Sequence, residues 1–357
     1  MTVPQTLLLR ADASVRMGTG HVMRCLALAQ AWRDNGDGVI LASTELPAPL
    51  RDRLQAEGIE LATLKQKAGS DADAQETAAL ASRRGAAWMV LDGYQFGTAY
   101  HERLNQGRVP LLVVDDLAHA EFYCCDIVLN QNLHAHESRY RQRRADTRLL
   151  LGPRYALLRH EFRAYAGWTR PIPARGRKVL VTLGGSDPDN ATAKVVRALR
   201  QLGPEIEADI VIGGANPYRQ QLEALVHGHE TRLRLRRNVA AMAERMAWAD
   251  VAMAAGGTTS WERACLGLPG LVFELADNQR DIVETIAKRE LCVALGRPES
   301  ISVDEIARAL DALLKNPERR AAMARRGAEL VDGQGSLRVV TALRGMQGDS
   351  DASSVSR

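Results

Sequence analysis

The tetrapeptide Gly18-Thr19-Gly20-His21 stands between an apolar run, 6–11, and a helical pattern that continues to Trp32. Two glycines there let a chain turn tightly out of a strand, and the histidine opens the helix that follows. A dinucleotide fingerprint, Gly-x-Gly-x-x-Gly, needs a third glycine for close helix–strand packing, and Met23 occupies that place. Nicotinamide binding, with Glu45 past the second strand as ribose partner, is therefore disfavoured. His21 is instead a candidate general base. A helix start disfavours imidazolium, so a neutral ring able to take a proton is expected. The competing reading is a histidine that caps or packs. Arg24, one turn on, either meets an anion or is a surface arginine. Asp12, at the end of the first strand, either orients a neighbour or binds the turn.

Further polar residues end later strands: Asp92 with Tyr94 in Leu-Asp-Gly-Tyr, the pair Asp115 and Asp116, and Asn130 with Asn132. Carboxylates and amides at successive strand ends suit a polyhydroxylated or amide-bearing ligand, although Asp and Asn also begin turns. The second half carries two glycine turns, each after a strand and before a helix. One contains Gly185 and Ser186, the other Gly256, Gly257, Thr258 and Thr259. Free backbone N–H groups and hydroxyls at helix starts can cradle phosphate. No Gly-Lys-Ser/Thr loop is present, which argues against ATPase chemistry. Glu262 lies about one turn into the second helix. A carboxylate there can grip a ribose diol, or simply stabilise the helix start by ~0.3–1 kcal/mol. Asn278 and Gln279 follow the next strand and could reach the same ligand.

The elements that must position these residues alternate along the whole chain, the pattern of parallel α/β sheets. Apolar strand-like runs fall at 6–11, 38–43, 86–92, 109–116, 126–130 and 147–152, and again at 178–185, 208–214, 233–239, 249–257 and 270–275. In the first helix Val22, Cys25, Leu26, Ala29 and Trp32 fall on one face. A segment rich in proline, glycine and arginine, 166–177, separates the halves. The expected organisation is an N-terminal Rossmann-like domain, 1–165, a linker, 166–177, a C-terminal domain, 178–345, and a small polar tail, 346–357, expected to be disordered. Ligands of such sheets sit beyond the carboxyl ends of the strands, so the expected site is a cleft between two facing domains.

Composition narrows the classes further. The 357 residues are more than one ordinary core needs. Lys and Arg exceed Asp and Glu by only four, so no strong field favours nucleic acid or anionic lipid. The basic run 232–237 alternates with leucine and reads as a half-buried strand with a solvated face. Five scattered cysteines show no metal or disulfide spacing and suit a reducing compartment. Residues 1–12 lack a basic segment and read as a first strand rather than a signal peptide, and no run is long enough to span a bilayer. A cytoplasmic protein with no membrane or nucleic-acid partner is expected.

These motifs also carry a resemblance. Gly-Thr-Gly-His-Val-Met-Arg (18–24), Leu-Asp-Gly-Tyr (91–94), Leu-Gly-Gly-Ser-Asp-Pro (183–188), Ala-Ala-Gly-Gly-Thr-Thr-Ser-Trp-Glu (254–262) and Glu-Leu-Ala-Asp-Asn-Gln (274–279) resemble the UDP-2,4-diacetamido-2,4,6-trideoxy-β-L-altropyranose hydrolases of pseudaminic acid biosynthesis, over roughly residues 6–345. The second half is also similar to the UDP-binding half of the peptidoglycan N-acetylglucosaminyltransferase. The resemblance implies a glycosyltransferase-B fold and cleavage of the C1–O bond of a UDP-linked sugar by water, with inversion. It implies His21 as catalytic base and Tyr94 as an active-site tyrosine. It implies Asn278, of the Asn-Gln pair, as a further site residue. Asp12, Gly18, Gly20, Arg24, Asp116, Asn132 and Gln279 are the other candidate sugar contacts, read from their places at turns and strand ends. Gly185, Ser186, Val239, Gly256, Gly257, Thr258, Thr259 and Glu262 would hold UDP, with Glu262 on the ribose and the backbone near Asn238 and Val239 at uracil. UDP leaves as a stabilised anion, so no general acid is obligatory. Neither a metal nor another cofactor is expected. A UDP-sugar transferase of the same fold and a non-catalytic sugar-nucleotide binder are the alternatives.

Overall fold

The computed structural model describes residues 4–14, 17–185, 187–214 and 216–354. The chain divides into two compact units: one of Met1–Ser14, Gly20–His160 and Gln334–Arg357, the other of Val15–Thr19 and Glu161–Gly333. In the first, the order is β1 (Thr6–Ala11), α1 (Gly20–Arg33), β2 (Gly38–Ser43), α2 (Ala48–Ala56), β3 (Glu60–Thr63), α3 (Asp71–Arg83), β4 (Ala86–Asp92), α4 (Thr98–Asn105), β5 (Leu111–Val114), β6 (Ile127–Asn130) and β7 (Arg148–Leu151). A short α5 (His160–Arg163) leads on. The second unit has β8 (Lys178–Thr182), α6 (Ala191–Arg200), β9 (Glu207–Ile212), α7 (Arg219–Val226), β10 (Leu233–Arg237), α8 (Met242–Trp248), β11 (Val251–Ala255), α9 (Thr259–Cys265), β12 (Gly270–Phe273), α10 (Arg280–Lys288), β13 (Val293–Gly296), α11 (Val303–Leu314) and α12 (Pro317–Leu330). The chain then returns to the first unit as α13 (Gly335–Ser354), so the helix runs through most of the segment expected to be a tail.

Each unit holds one parallel sheet. The strand orders are β3-β2-β1-β4-β5-β6-β7 and β10-β9-β8-β11-β12-β13. Both follow the Rossmann order, in which the chain reverses direction beside its first strand. The strands are nearly continuous apolar runs because helices cover both faces. Their period of two divides the first core. Leu7 and Leu9 of β1, Val39 and Leu41 of β2, and Trp88 and Val90 of β4 face α1 and α13. Leu8, Ile40, Met89 and Leu91 face the opposite layer with Ala74, Tyr100 and Leu104. The register aligns them, Leu8 pairing with both Ile40 and Met89. Each such aliphatic side chain contributes roughly 1.5–3 kcal/mol on leaving water.

The helix α1 is buried well beyond the one apolar face read from its sequence. The sheet covers one side and α13 the other, through Val339, Val340, Ala342 and Leu343. Trp88 Nε1 donates to the Leu343 carbonyl at 3.1 Å, which ties the C-terminal helix into the first unit. The basic run forms the edge strand β10. There Arg234 and Arg236, on one face, donate to the buried carboxylate of Asp209 at 2.8 and 2.7 Å. Two strands escape the sequence pattern, β3 and β13. Both are four-residue edge strands with mostly half-exposed side chains, so neither carries a period-two apolar signal. Among the described residues, no helix is long and apolar enough to cross a membrane.

Candidate functional site

In a parallel sheet all the carboxyl ends lie along one edge, and the loops that follow the two strands flanking the reversal diverge there. In the first unit those strands are β1 and β4. The loop after β1 turns at Gly18, whose φ of +83° lies in the left-handed region that glycine enters without strain. Gly20 is the first residue of α1 and His21 the second. Asp92 is the last residue of β4. The two meet: His21 Nδ1 lies 2.6 Å from Asp92 Oδ1. A carboxylate can only accept, so Nδ1 carries a proton, and in the neutral ring that puts the lone pair on Nε2. Asp92 thus sets the tautomer.

Arg24, one turn along α1, donates Nε to Asp92 Oδ2 at 2.5 Å and Nη2 to Asp92 Oδ1 at 2.6 Å. Its Nη1 reaches Asp116 Oδ2 at 2.7 Å. All four side chains are buried, Asp92 completely. Burial alone would push the Asp92 carboxyl up. The charges and hydrogen bonds of Arg24 and His21 outweigh it and hold the group down to about 2. Arg24 is therefore neither a surface arginine nor a bare anion receptor; it is committed to two carboxylates. Asp116 collects more partners, with Tyr94 OH donating at 3.3 Å and Asn132 Nδ2 at 2.7 Å. Tyr94 packs edge-on to the His21 ring, centroids 4.9 Å apart. His21, Tyr94, Arg24, Asp116 and Asn132, read separately from the sequence, form one connected network. Asp92 completes it. The sequence marked Asp92 as a strand-end carboxylate without assigning it to His21, because only the strand order puts β4 beside β1.

The network rests on a second layer. Asp115 accepts from the backbone of Leu117 and Ala118 at 2.7 and 2.9 Å and from Tyr123 OH. Tyr140 OH bridges, donating to the Asp115 carbonyl at 3.1 Å and accepting from Asn130 Nδ2 at 2.7 Å. The Asn130 amide oxygen in turn accepts from Asn132, backbone and side chain, at 3.0 Å each. His119, which no motif singled out, lies 3.3 Å from Asp115 and meets the Tyr94 ring edge-on at 6.2 Å. Asp12 belongs elsewhere. Its Oδ1 accepts from Ser43, Thr44 and Glu45, its Oδ2 accepts from Gln95 at 3.0 Å, and Arg10 Nη1 pairs with Oδ2 as an ion pair at 2.8 Å. That engagement fills a carboxylate's lone-pair sites and makes Asp12 a brace for the β1 and β2 loops.

In the second unit the reversal lies between β8 and β11. Gly184 (φ +91°) and Gly185 follow β8, and Ser186 lies outside the described residues. Gly256 and Gly257 follow β11. A Cβ on Gly256 would overlap Val283 of α10, whereas one on Gly257 would meet open space. The first glycine is thus demanded by packing, and the second leaves backbone uncovered. Thr258 precedes α9, Thr259 begins it, and Glu262 sits in its first turn, 8% exposed. Val239 follows Asn238, whose φ of +51° turns the chain after β10. Asn278 and Gln279 form a turn after β12, where Gln279 Oε1 accepts from Leu275 N at 3.0 Å. Gly185, Val239, Gly256–Thr259 and the Asn278–Gln279 turn therefore share the carboxyl edge of one sheet.

No protein-family model matches the chain. It is 29% identical over 202 residues to the spore coat polysaccharide biosynthesis protein SpsG of Bacillus subtilis, a match covering 56% of this chain and 59% of that protein. It is 23% identical over 284 residues to an uncharacterised protein of Methanocaldococcus jannaschii, covering 78% of this chain and 57% of that one. The matches thus span less than two thirds of either relative. Among solved structures it is similar to MurG of Acinetobacter baumannii, with a TM-score of 0.66 at 16% identity, over 96% of this chain and 100% of that one. Anabaena HepE, solved in complex with UDP and glucose, matches with a TM-score of 0.59 at 14% identity, over 96% and 100%. At these identities the likeness is one of fold, and it extends through both units: two Rossmann-like sheets in one chain, the glycosyltransferase-B class.

Proposed function

We propose that the chain is a nucleotide-sugar enzyme that hydrolyses a UDP-linked, acetamido-bearing deoxy sugar at its C1–O bond. The observation that carries this reading is the His21–Asp92 pair: a buried carboxylate accepts from Nδ1 at the strand reversal, and in the neutral ring this puts the lone pair on Nε2. Nε2 takes a proton from water as the water oxygen bonds to C1. The C1–O bond breaks with its electron pair going to the leaving UDP, so the configuration at C1 inverts. Asp92 stabilises the imidazolium formed, and Tyr94, fixed by Asp116, orients the reacting groups. The glycine turns of the second unit take up phosphate charge through backbone N–H groups, and Glu262 binds the ribose.

A relative named for polysaccharide biosynthesis and a fold neighbour solved with UDP and glucose support a nucleotide-sugar substrate. Transfer to a second sugar would use the same base. The test is incubation with UDP-diacetamido-trideoxy hexoses and no acceptor, following UDP release and the anomer of the freed sugar by NMR. Hydrolysis predicts rapid release with inverted configuration, lost by about 10²–10⁴ in His21→Asn. Release only when an acceptor sugar is added would assign a transferase instead.

A further inference from the structure

Ser260, Trp261 and Arg263 of α9 are buried, at 3%, 1% and 2% exposure. They line one cavity with Ile286, Leu291 and Met323 and with the chain at Ala264, Gly267, Leu268 and Gly327. It is small, about 10 Å³, with room for one particle. Ser260 Oγ, Trp261 Nε1 and Arg263 Nε each lack a hydrogen-bond partner among the described residues. Arg263 donates once, Nη1 to the Leu268 carbonyl at 2.9 Å. Among the described residues it forms no ion pair. Arg170, another buried arginine of this unit, shows the contrast: its guanidinium donates to three carbonyls, of Leu266, Ala249 and Met246.

A guanidinium stays charged at any pH the fold survives, and a buried charge without a counter-charge is among the costlier arrangements in a protein. The side chains lining the cavity offer two N–H donors, a hydroxyl that can donate or accept, and apolar carbon. A water molecule can accept from the two N–H groups and donate to the hydroxyl, but it leaves the charge uncompensated. A monoatomic anion accepts from all three and neutralises Arg263. We propose that this cavity is a site for one small monovalent anion of the halide class, held by Arg263, Trp261 and Ser260. Its occupant braces α9, the helix that carries Thr259 and Glu262, against α10 and α12.

Thermal unfolding of the full chain in sodium chloride against sodium gluconate at constant ionic strength tests this, since an anion bound only by the native state raises the midpoint with its own concentration. The expected result is a saturable rise in chloride and none in gluconate. Arg263→Met abolishes the difference, and Ser260→Ala moves the half-effect to several-fold higher chloride. Crystals grown in bromide show an anomalous peak in the cavity. Should Arg263→Met not fold, Ser260→Ala and the bromide crystals decide alone. Equal midpoints in the two salts, or a water rather than bromide between the three groups, overturn the proposal.

Discussion

Asp92→Asn removes one charge at the point where three N–H donors converge. The Oδ1 position serves two of them, His21 Nδ1 and Arg24 Nη2, and Oδ2 serves Arg24 Nε. The amide oxygen therefore keeps the Oδ1 place and the NH2 group faces Arg24 Nε–H, donor against donor. Two consequences follow. The imidazolium formed at His21 loses the adjacent anion. Opposite charges about 4 Å apart are worth ~4 kcal/mol at an effective dielectric constant of 20, and the nearby Arg24 charge offsets part of that. A loss of roughly 3–4 kcal/mol in the transition state lowers kcat about 10²–10³-fold. Arg24 also becomes a buried cation short of a partner, which costs about 3–5 kcal/mol of folding stability.

Acid provides a second readout of the same carboxylate. Its folded value, about 2, is below the 3.8 of a free carboxyl, so its stabilisation is complete above pH ~4 and lost as pH falls from there toward 2. The difference corresponds to on the order of 2–3 kcal/mol, and it vanishes from the acid limb of the unfolding curve in Asp92→Asn. The rate assay is UDP release at saturating UDP-sugar, with UDP affinity measured by calorimetry as the control that the nucleotide site is intact. If Asp92→Asn folds, binds UDP normally and retains kcat within threefold of the parent, the carboxylate is only a counter-ion for Arg24 and His21 is not the base.

Glu262→Ala should weaken UDP binding by ~1–3 kcal/mol through loss of a charged hydrogen bond to the ribose, measured by calorimetry; unchanged affinity makes Glu262 a helix-start carboxylate. Gly256→Ala should lower the thermal midpoint, since its methyl overlaps Val283 and overpacking of this kind costs ~1–3 kcal/mol. The same methyl on Gly257 enters open space and should leave the midpoint nearly unchanged, so equal effects at the two positions would contradict the packing described here.

Much of the first unit is legible locally. The runs 6–11, 38–43 and 86–92 become β1, β2 and β4 with the same bounds, because strands covered on both faces are written as unbroken apolar sequence. The glycine turns lie where the apolar runs stop and helical periodicity begins, which is a local signal too. The edge strands β3 and β13 were silent, since four residues half in water need not alternate. Arg24 and Asp12 mark the limit of residue-by-residue reading. Each was left between two roles, and the hydrogen bonds that decide them come from residues distant in the chain, Asp92 and Asp116 for one, Ser43, Thr44 and Gln95 for the other.

By itself the sequence determined that this chain folds as two α/β halves, that both place glycine turns at helix starts, and that His21 stands at one of them. Those are properties of windows of about ten residues, where backbone freedom and apolar period act without reference to distant parts. Strand order is not such a property. It alone set β4 beside β1 and so brought Asp92 onto His21 Nδ1, 71 positions apart in the chain. The same strand order brought Asp92 and Asp116 onto Arg24, which lies buried at that edge. With solvent excluded, an arginine that could have been a surface charge is held by the two carboxylates it neutralises.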